Sequence, residues 1–179
     1  KIAYLGYDDR LQGYQLTQLY VMNANGSDSQ LISGDFDRDV EDMAWNSKGN
    51  GLHFIYTDKG MGKLASIELS GKVSDITYGL GGLSLGRPYN AASFSASTNN
   101  KFAYTLGDTS HPSDLGVADT KSSKRLTAVN DDLFSFKKLG KVEEMWWESS
   151  YDQRKIQGWV VTPPDFDPSK KYPMILHLT

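Results

Sequence analysis

The sequence predicts an all-β protein: four-stranded antiparallel β-propeller blades with a period of about 50 residues, followed by the first strands of a second domain. Three observations lead there. Apolar triplets recur at a spacing of 50 residues, at Ile2-Ala3-Tyr4, Leu52-His53-Phe54 and Phe102-Ala103-Tyr104. Short alternating runs are separated by Asn, Asp and Gly, the residues that supply the left-handed conformations of tight hairpins. A stiff Pro-punctuated loop, 162–169, lies between two apolar runs that do not fit the repeat.

The elements follow in order. After each triplet comes a second strand: Leu19-Tyr20-Val21-Met22, Leu64-Ala65-Ser66-Ile67 and Leu115-Gly116-Val117-Ala118. A third follows: Gln30-Leu31-Ile32, Val73-Ser74-Asp75-Ile76 and Lys124-Arg125-Leu126-Thr127. Turn formers separate second from third, at Asn23-Ala24-Asn25-Gly26-Ser27, Ser70-Gly71 and Asp119-Thr120-Lys121-Ser122. An opening strand precedes the second and third repeats, Val40-Glu41-Asp42-Met43-Ala44-Trp45 and Ala91-Ala92-Ser93-Phe94. Trp45 and Phe94 hold equivalent places there and are expected to be buried between blades. The first repeat lacks its opening strand, so residues 1–140 amount to two blades and most of a third, short of the four that a closed propeller needs. The longest loops are 8–18 and 79–90.

Residues 130–140 read as a polar exit, with a soft boundary near Gly140. The second domain, 141–179, opens with an alternating strand at 142–148 and an apolar one at 156–161. Met174-Ile175-Leu176-His177-Leu178 then reads as a buried strand. Such a strand needs neighbours over both faces, so the sequence is expected to end just inside this domain.

Composition narrows the function. The chain has 179 residues, 39% hydrophobic and 23% charged, enough for an ordinary core. Its net charge of −3 gives no reason to expect nucleic acid or an anionic membrane surface as partner. There is no cysteine, hence no disulfide and no thiolate metal site. No apolar run approaches the ~18 residues of a membrane span. The opening residues alternate like a strand and lack the layout of a signal peptide.

Candidate sites are few. His53, His111 and His177 are the only histidines and lie far apart, so structural roles are favoured over metal binding. Asp35-Phe36-Asp37-Arg38-Asp39-Val40-Glu41-Asp42 starts like an EF-hand loop. Val40 and Asn46 stand where that loop needs Gly and Glu. A solvated inter-blade loop is the favoured reading, and a substrate-facing rim, whose acids or Arg38 hold a peptide terminus, is the rival. Gly79-Leu80-Gly81-Gly82-Leu83-Ser84-Leu85-Gly86-Arg87-Pro88 misses the G-x-G-x-x-G spacing and the terminal Gly-Lys-Ser/Thr of phosphate loops, and in Gly60-Met61-Gly62-Lys63 Thr57 stands in place of the first P-loop glycine, so both read as turns. Trp146, Trp147 and Trp159 read as core or inter-domain packing rather than a binding platform. The one G-x-S-x-G string, Gly82-Leu83-Ser84-Leu85-Gly86, lies inside the glycine-rich stretch read as a turn between strands of the repeat and is not taken as a nucleophile elbow, which needs a strand-to-helix turn. No catalytic, cofactor-binding or metal-binding residue is therefore assigned.

One stretch resembles a known family. Ser149-Ser150-Tyr151-Asp152-Gln153-Arg154-Lys155-Ile156-Gln157-Gly158-Trp159, then Pro163-Pro164 and Lys171-Tyr172-Pro173, is similar to the entry of the α/β-hydrolase domain in prolyl oligopeptidase-family serine peptidases, most of all the acylaminoacyl-peptidase and dipeptidyl-peptidase-like branch. Thr179 stands where that family usually begins a His-Gly-Gly-Pro turn. The turn at 46–51 also resembles the Ser-Pro-Asp-Gly turn of blade repeats in these peptidases and in TolB-like propellers. The resemblance implies an enzyme that hydrolyses short peptides by a Ser-Asp-His triad lying beyond this chain, no cofactor, and a propeller part that is inactive alone and gates substrate. Bacterial members are often exported, which implies a periplasmic rather than cytoplasmic location. The open faces of an incomplete propeller imply self-association of the chain by itself. The alternative is a non-catalytic TolB-like propeller that binds proteins through its rim loops.

Overall fold

The second and third apolar triplets lie in the second strands of four-strand antiparallel groups, and the first lies in the opening strand of a three-stranded sheet. The computed structural model describes residues 1–82 and 92–177, which divide into two compact units, Lys1–Asp131 and Asp132–Thr179. In the first, β1 (Ile2–Gly6), β2 (Gln18–Met22) and β3 (Gln30–Leu31) form one sheet in that order. Next come β4 (Met43–Trp45), β5 (Gly51–Asp58), β6 (Met61–Glu68) and β7 (Val73–Leu80), each pairing with its successor. The third group is β8 (Phe94–Ala96), β9 (Phe102–Leu106), β10 (Asp114–Ala118) and β11 (Ser123–Arg125). The equivalence holds in register: Leu52 lies between Trp45 and Ile67, as Phe102 lies between Ala96 and Ala118. This nearly all-β, antiparallel architecture is consistent with a propeller-like domain.

Turn chemistry sets the hairpins. Lys59 and Gly60 both have positive φ, 51° and 72°, as a two-residue type I′ turn requires between the paired Asp58 and Met61. Gly60-Met61-Gly62-Lys63 is thus a hairpin and the start of β6. Gly79 and Gly81 serve close approach. The Gly81 N–H donates to the Thr105 carbonyl (3.1 Å) and the Gly107 N–H to that of Gly79 (3.1 Å), so β7 meets β9 at Leu80 and Leu106. Residues 83–88 of that glycine-rich stretch lie outside the described residues.

Side-chain period decides the packing. On β5, Leu52, Phe54 and Tyr56 point to a cluster that includes Leu19, Val21, Val40 and Ile67. Ile55, on the opposite face, joins Leu64, Leu80, Phe102, Tyr104 and Ala118. The middle sheet is therefore covered on both sides by its neighbours, which explains why residues 51–56 are all buried.

Several expectations are corrected. The opening strands are shorter than expected, three residues each in β4 and β8, and Ala91 lies outside the described residues. Trp45 and Phe94 are half-buried rather than buried, and they are not equivalent: Trp45 pairs with Leu52 as Ala96 does with Phe102, whereas Phe94 pairs with Tyr104 as Met43 does with Phe54. Both sit on edge strands, which pair on one side only. A short helical turn, α1 (Asp131–Phe134), interrupts the expected polar exit.

In the second unit, β12 (Val142–Glu148) and β13 (Lys155–Val161) pair from Val142↔Val161 to Glu148↔Lys155. Period 2 puts Met145, Trp147, Ile156 and Val160 on one face, and Glu144, Trp146, Gln157 and Trp159 on the other. The three tryptophans are 44–48% exposed, so none is core. The expected buried strand at 174–178 is not formed over its described part. Met174 and Ile175 are 86% and 95% exposed. Among the described residues the sheet of this unit consists of β12 and β13, and no third strand pairs with residues 174–177. Leu178 and Thr179 lie outside the described residues.

Candidate functional site

Antiparallel order determines which connections share an end of the first unit. The turns at 46–50, 97–100, 23–29, 69–72 and 119–122 lie at one end and are short. The β1–β2, β5–β6 and β9–β10 loops lie at the other, with the connection leaving β3. That second rim carries the long, charged loops, where function concentrates on a rigid scaffold.

Loop 7–17 is the most elaborate element there. The Asp9 carboxylate accepts from the Leu11 N–H (2.9 Å) and Gln15 Nε2 (3.0 Å), and Gln15 Oε1 accepts from the Arg10 N–H (2.5 Å). These bonds, the Leu11 one first, hold the Asp9 carboxyl below its ordinary pKa. Leu11 is thereby pinned at φ 55° with its side chain 90% exposed. The loop is tied to the β3–β4 connection through Asp39, which accepts from the Tyr14 hydroxyl and from the Thr17 N–H (2.6 Å). The Asp39 bond pushes the Tyr14 phenol up to about 12, helped by burial and the Asp39 charge. Between the two segments lies a cavity of about 360 Å³, walled by loop 7–18 and by Asp37.

The acidic run thus does different jobs at each position. Asp39 ties loops together and Asp37 faces the cavity. Arg38 turns to Asp58, its Nε and Nη2 bonding Asp58 Oδ1 (3.1 and 2.9 Å), and its Nη1 lies 3.5 Å from Asp37 Oδ2. Lys63 adds to Asp58 (3.2 Å) and Asp75 (3.3 Å), and Asp75 accepts from the Tyr56 hydroxyl (2.6 Å). Burial raises the Asp58 pKa, but its bonds to Arg38 and Lys63 outweigh this and leave it lowered. Burial, then the Asp75 bond, push Tyr56 up to about 12. This network braces the β5–β6–β7 sheet. Among the described residues no three His, Asp or Glu side chains come close enough to share a metal ion.

The histidines do not converge. His53 is 6% exposed on β5, edge-on to Phe102 with centroids 4.7 Å apart, and burial lowers its pKa. His177 is exposed. His111 is in the β9–β10 loop beside Ser110 and Asp108, a trio that superficially suggests a catalytic triad. Its geometry is wrong: Ser110 Oγ (3.0 Å) and Asp108 Oδ1 (3.3 Å) both contact the same ring nitrogen, Nδ1, whereas a triad needs Ser and Asp on opposite nitrogens. Asp108 also accepts from the Ser110 and His111 N–H groups, so the trio is a loop staple. Sequence reasoning missed Arg10 and the cavity. The available signal was the Asp8-Asp9-Arg10 run in one of the longest loops.

Comparison with known proteins agrees with the architecture. No family model matches the chain. Dipeptidyl-peptidase 5 of Porphyromonas gingivalis is 28% identical over 170 residues, covering 92% of this chain and 23% of that protein. An acylaminoacyl peptidase solved with Z-Gly-Gly-Phe-chloromethyl ketone superposes with a TM-score of 0.70 at 19% identity, over 94% of this chain and 24% of its own. TolB from Acinetobacter baumannii gives 0.53 at 15% identity, over 70% of this chain and 30% of its own. The chain thus spans about a quarter of the length of the peptidases it matches. Sequence and fold together relate it to a segment of the prolyl oligopeptidase family of serine peptidases, the family to which residues 149–159 and 171–173 pointed.

Proposed function

We propose that this chain is the propeller part, and the start of the hydrolase domain, of a serine peptidase acting on short peptides in the manner of an aminopeptidase, acylaminoacyl-peptidase or dipeptidyl-peptidase. The observation that carries this is the relation to dipeptidyl-peptidase 5, which runs through 92% of the chain. Chemistry would then belong to a serine activated by histidine, a histidine oriented by aspartate and backbone donors at the oxyanion, all outside these residues. The long-loop rim would face the substrate and admit short chains only. A periplasmic location goes with this reading.

The second reading, a TolB-like binding propeller without catalysis, is weaker. The likeness to TolB extends over 70% of the chain, against 94% for the acylaminoacyl peptidase. A binding propeller also has no use for β12, β13 and the Pro163-Pro164 loop. Hydrolysis of dipeptidyl and acylaminoacyl p-nitroanilides by the full gene product tests the choice. Turnover is the expected result. A properly folded product with no activity on any such substrate would favour the binding module.

A further inference from the structure

The rim cavity is bounded by a loop whose polar groups are divided sharply between two tasks. Asp9, Gln15 and Tyr14 are engaged in holding the loop in shape, through the bonds to Leu11, Arg10 N–H and Asp39. Gln18 accepts from the Tyr20 hydroxyl (3.4 Å). The Arg10 guanidinium, the sole cation on the cavity wall, makes no hydrogen bond or ion pair among the described residues. Two carboxylates, Asp8 and Asp37, share the wall with it. The loop is also strained at its tip, where a bulky non-glycine residue, Leu11, is kept left-handed and exposed. A pre-shaped loop of this kind presents its unengaged cation with little ordering cost.

We infer that this cavity binds the carboxylate of a short peptide, with the Arg10 guanidinium as its anchor. The inference rests on the reading of the protein as a peptide-handling one. A guanidinium is the side chain suited to a carboxylate, because its planar fork makes two parallel charge-assisted bonds. The size, about 360 Å³, falls within the range of small-ligand pockets, roughly 300–1,000 Å³. Asp8 and Asp37 select among anions. They repel a phosphate, which brings more negative charge and no positive one, and they tolerate a peptide, whose carboxylate is accompanied by a neutral backbone or an ammonium group. The tyrosine rings of Tyr7 and Tyr14 supply amphipathic wall beside the anchor. The carboxylate can be the C-terminal one or that of an acidic side chain.

Calorimetric titration of the 179-residue chain separates these cases. The probes are Ala-Ala-Ala, its C-terminal amide, Ala-Glu-Ala amide and inorganic phosphate. Ala-Ala-Ala is expected to bind about 10-fold or more tightly than its amide, and Arg10→Gln to abolish that difference. If Ala-Glu-Ala amide matches the free acid, the site reads any peptide carboxylate. If it binds like the simple amide, the site reads the C-terminus. Equal binding of acid and amide to the wild-type chain overturns the inference without any variant, as does phosphate binding as tight as peptide. Unchanged discrimination in a folded Arg10→Gln protein removes Arg10 from the role. Serine reactivity is measured independently. Failure here leaves the peptidase reading standing, and carboxylate binding in a protein without hydrolase activity would overturn that reading instead.

Discussion

Phe102→Ala probes the packing between the second and third strand groups most sharply. The ring is 1% exposed and lies in the cluster made by Ile55 and Leu64 on one side and Tyr104 and Ala118 on the other. Its cross-strand neighbours are Ala96 and Ala118, and its edge-on partner is His53. Neither alanine can reach into the space that the ring leaves, and His53 is fixed on a strand buried on both faces. The cavity would therefore stay largely open, which puts the cost in the usual range for a buried aromatic, about 3–5 kcal/mol. With a urea slope of about 2 kcal/mol per molar, the midpoint should fall by roughly 1.5–2.5 M. Urea titrations followed by far-ultraviolet circular dichroism measure this. Phe136→Ala, at a position 88% exposed, serves as the control and should stay within about 0.5 kcal/mol. A loss below about 1 kcal/mol for Phe102→Ala would mean that the two strand groups do not share a core.

Three further outcomes are expected. His53 is held neutral by burial, its folded pKa below the unfolded value, so the unfolded chain takes up its proton first as pH falls. Stability should be full above the ordinary histidine pKa of about 6.5 and decline below it, and His53→Leu should flatten that slope in denaturation curves between pH 7.5 and 5; an unchanged slope would clear His53. Gly116 faces the Tyr104 ring across the β9–β10 pair, and a Cβ there would come within 2.6 Å of the ring. Gly116→Ala should cost about 1–3 kcal/mol, and a neutral result would mean that Tyr104 moves freely. Met145, Trp147, Ile156 and Val160 leave one face of the hairpin uncovered by its own unit, and the chain alone should self-associate at micromolar concentration; a stable monomer in sedimentation equilibrium would refute this.

The strand repeat was legible because period 2 and period 50 are both local signals: Leu52 and Phe102 each head a triplet, and each takes the second place in its strand group. Asn, Asp and Gly marked the hairpins for the same reason. The long connections were not legible. That Arg38 would turn to Asp58, 20 residues on, and leave Arg10 as the cation on the cavity wall depends on how loops 7–17 and 33–42 meet. No spacing encodes that meeting. The apolar run at 174–177 misled because its composition states a preference for burial, whereas burial itself requires partner strands.

The proposal that this chain is the non-catalytic part of a serine peptidase is tested most directly with a fluorophosphonate probe. The full gene product and the 179-residue chain are labelled side by side and the modified residue located by mass spectrometry. The expected result is one stoichiometric adduct in the full product, on a serine outside residues 1–179 within a G-x-S-x-G turn, and none on the chain alone. Labelling of any serine within residues 1–179, or an unlabelled full product that is properly folded, would contradict it.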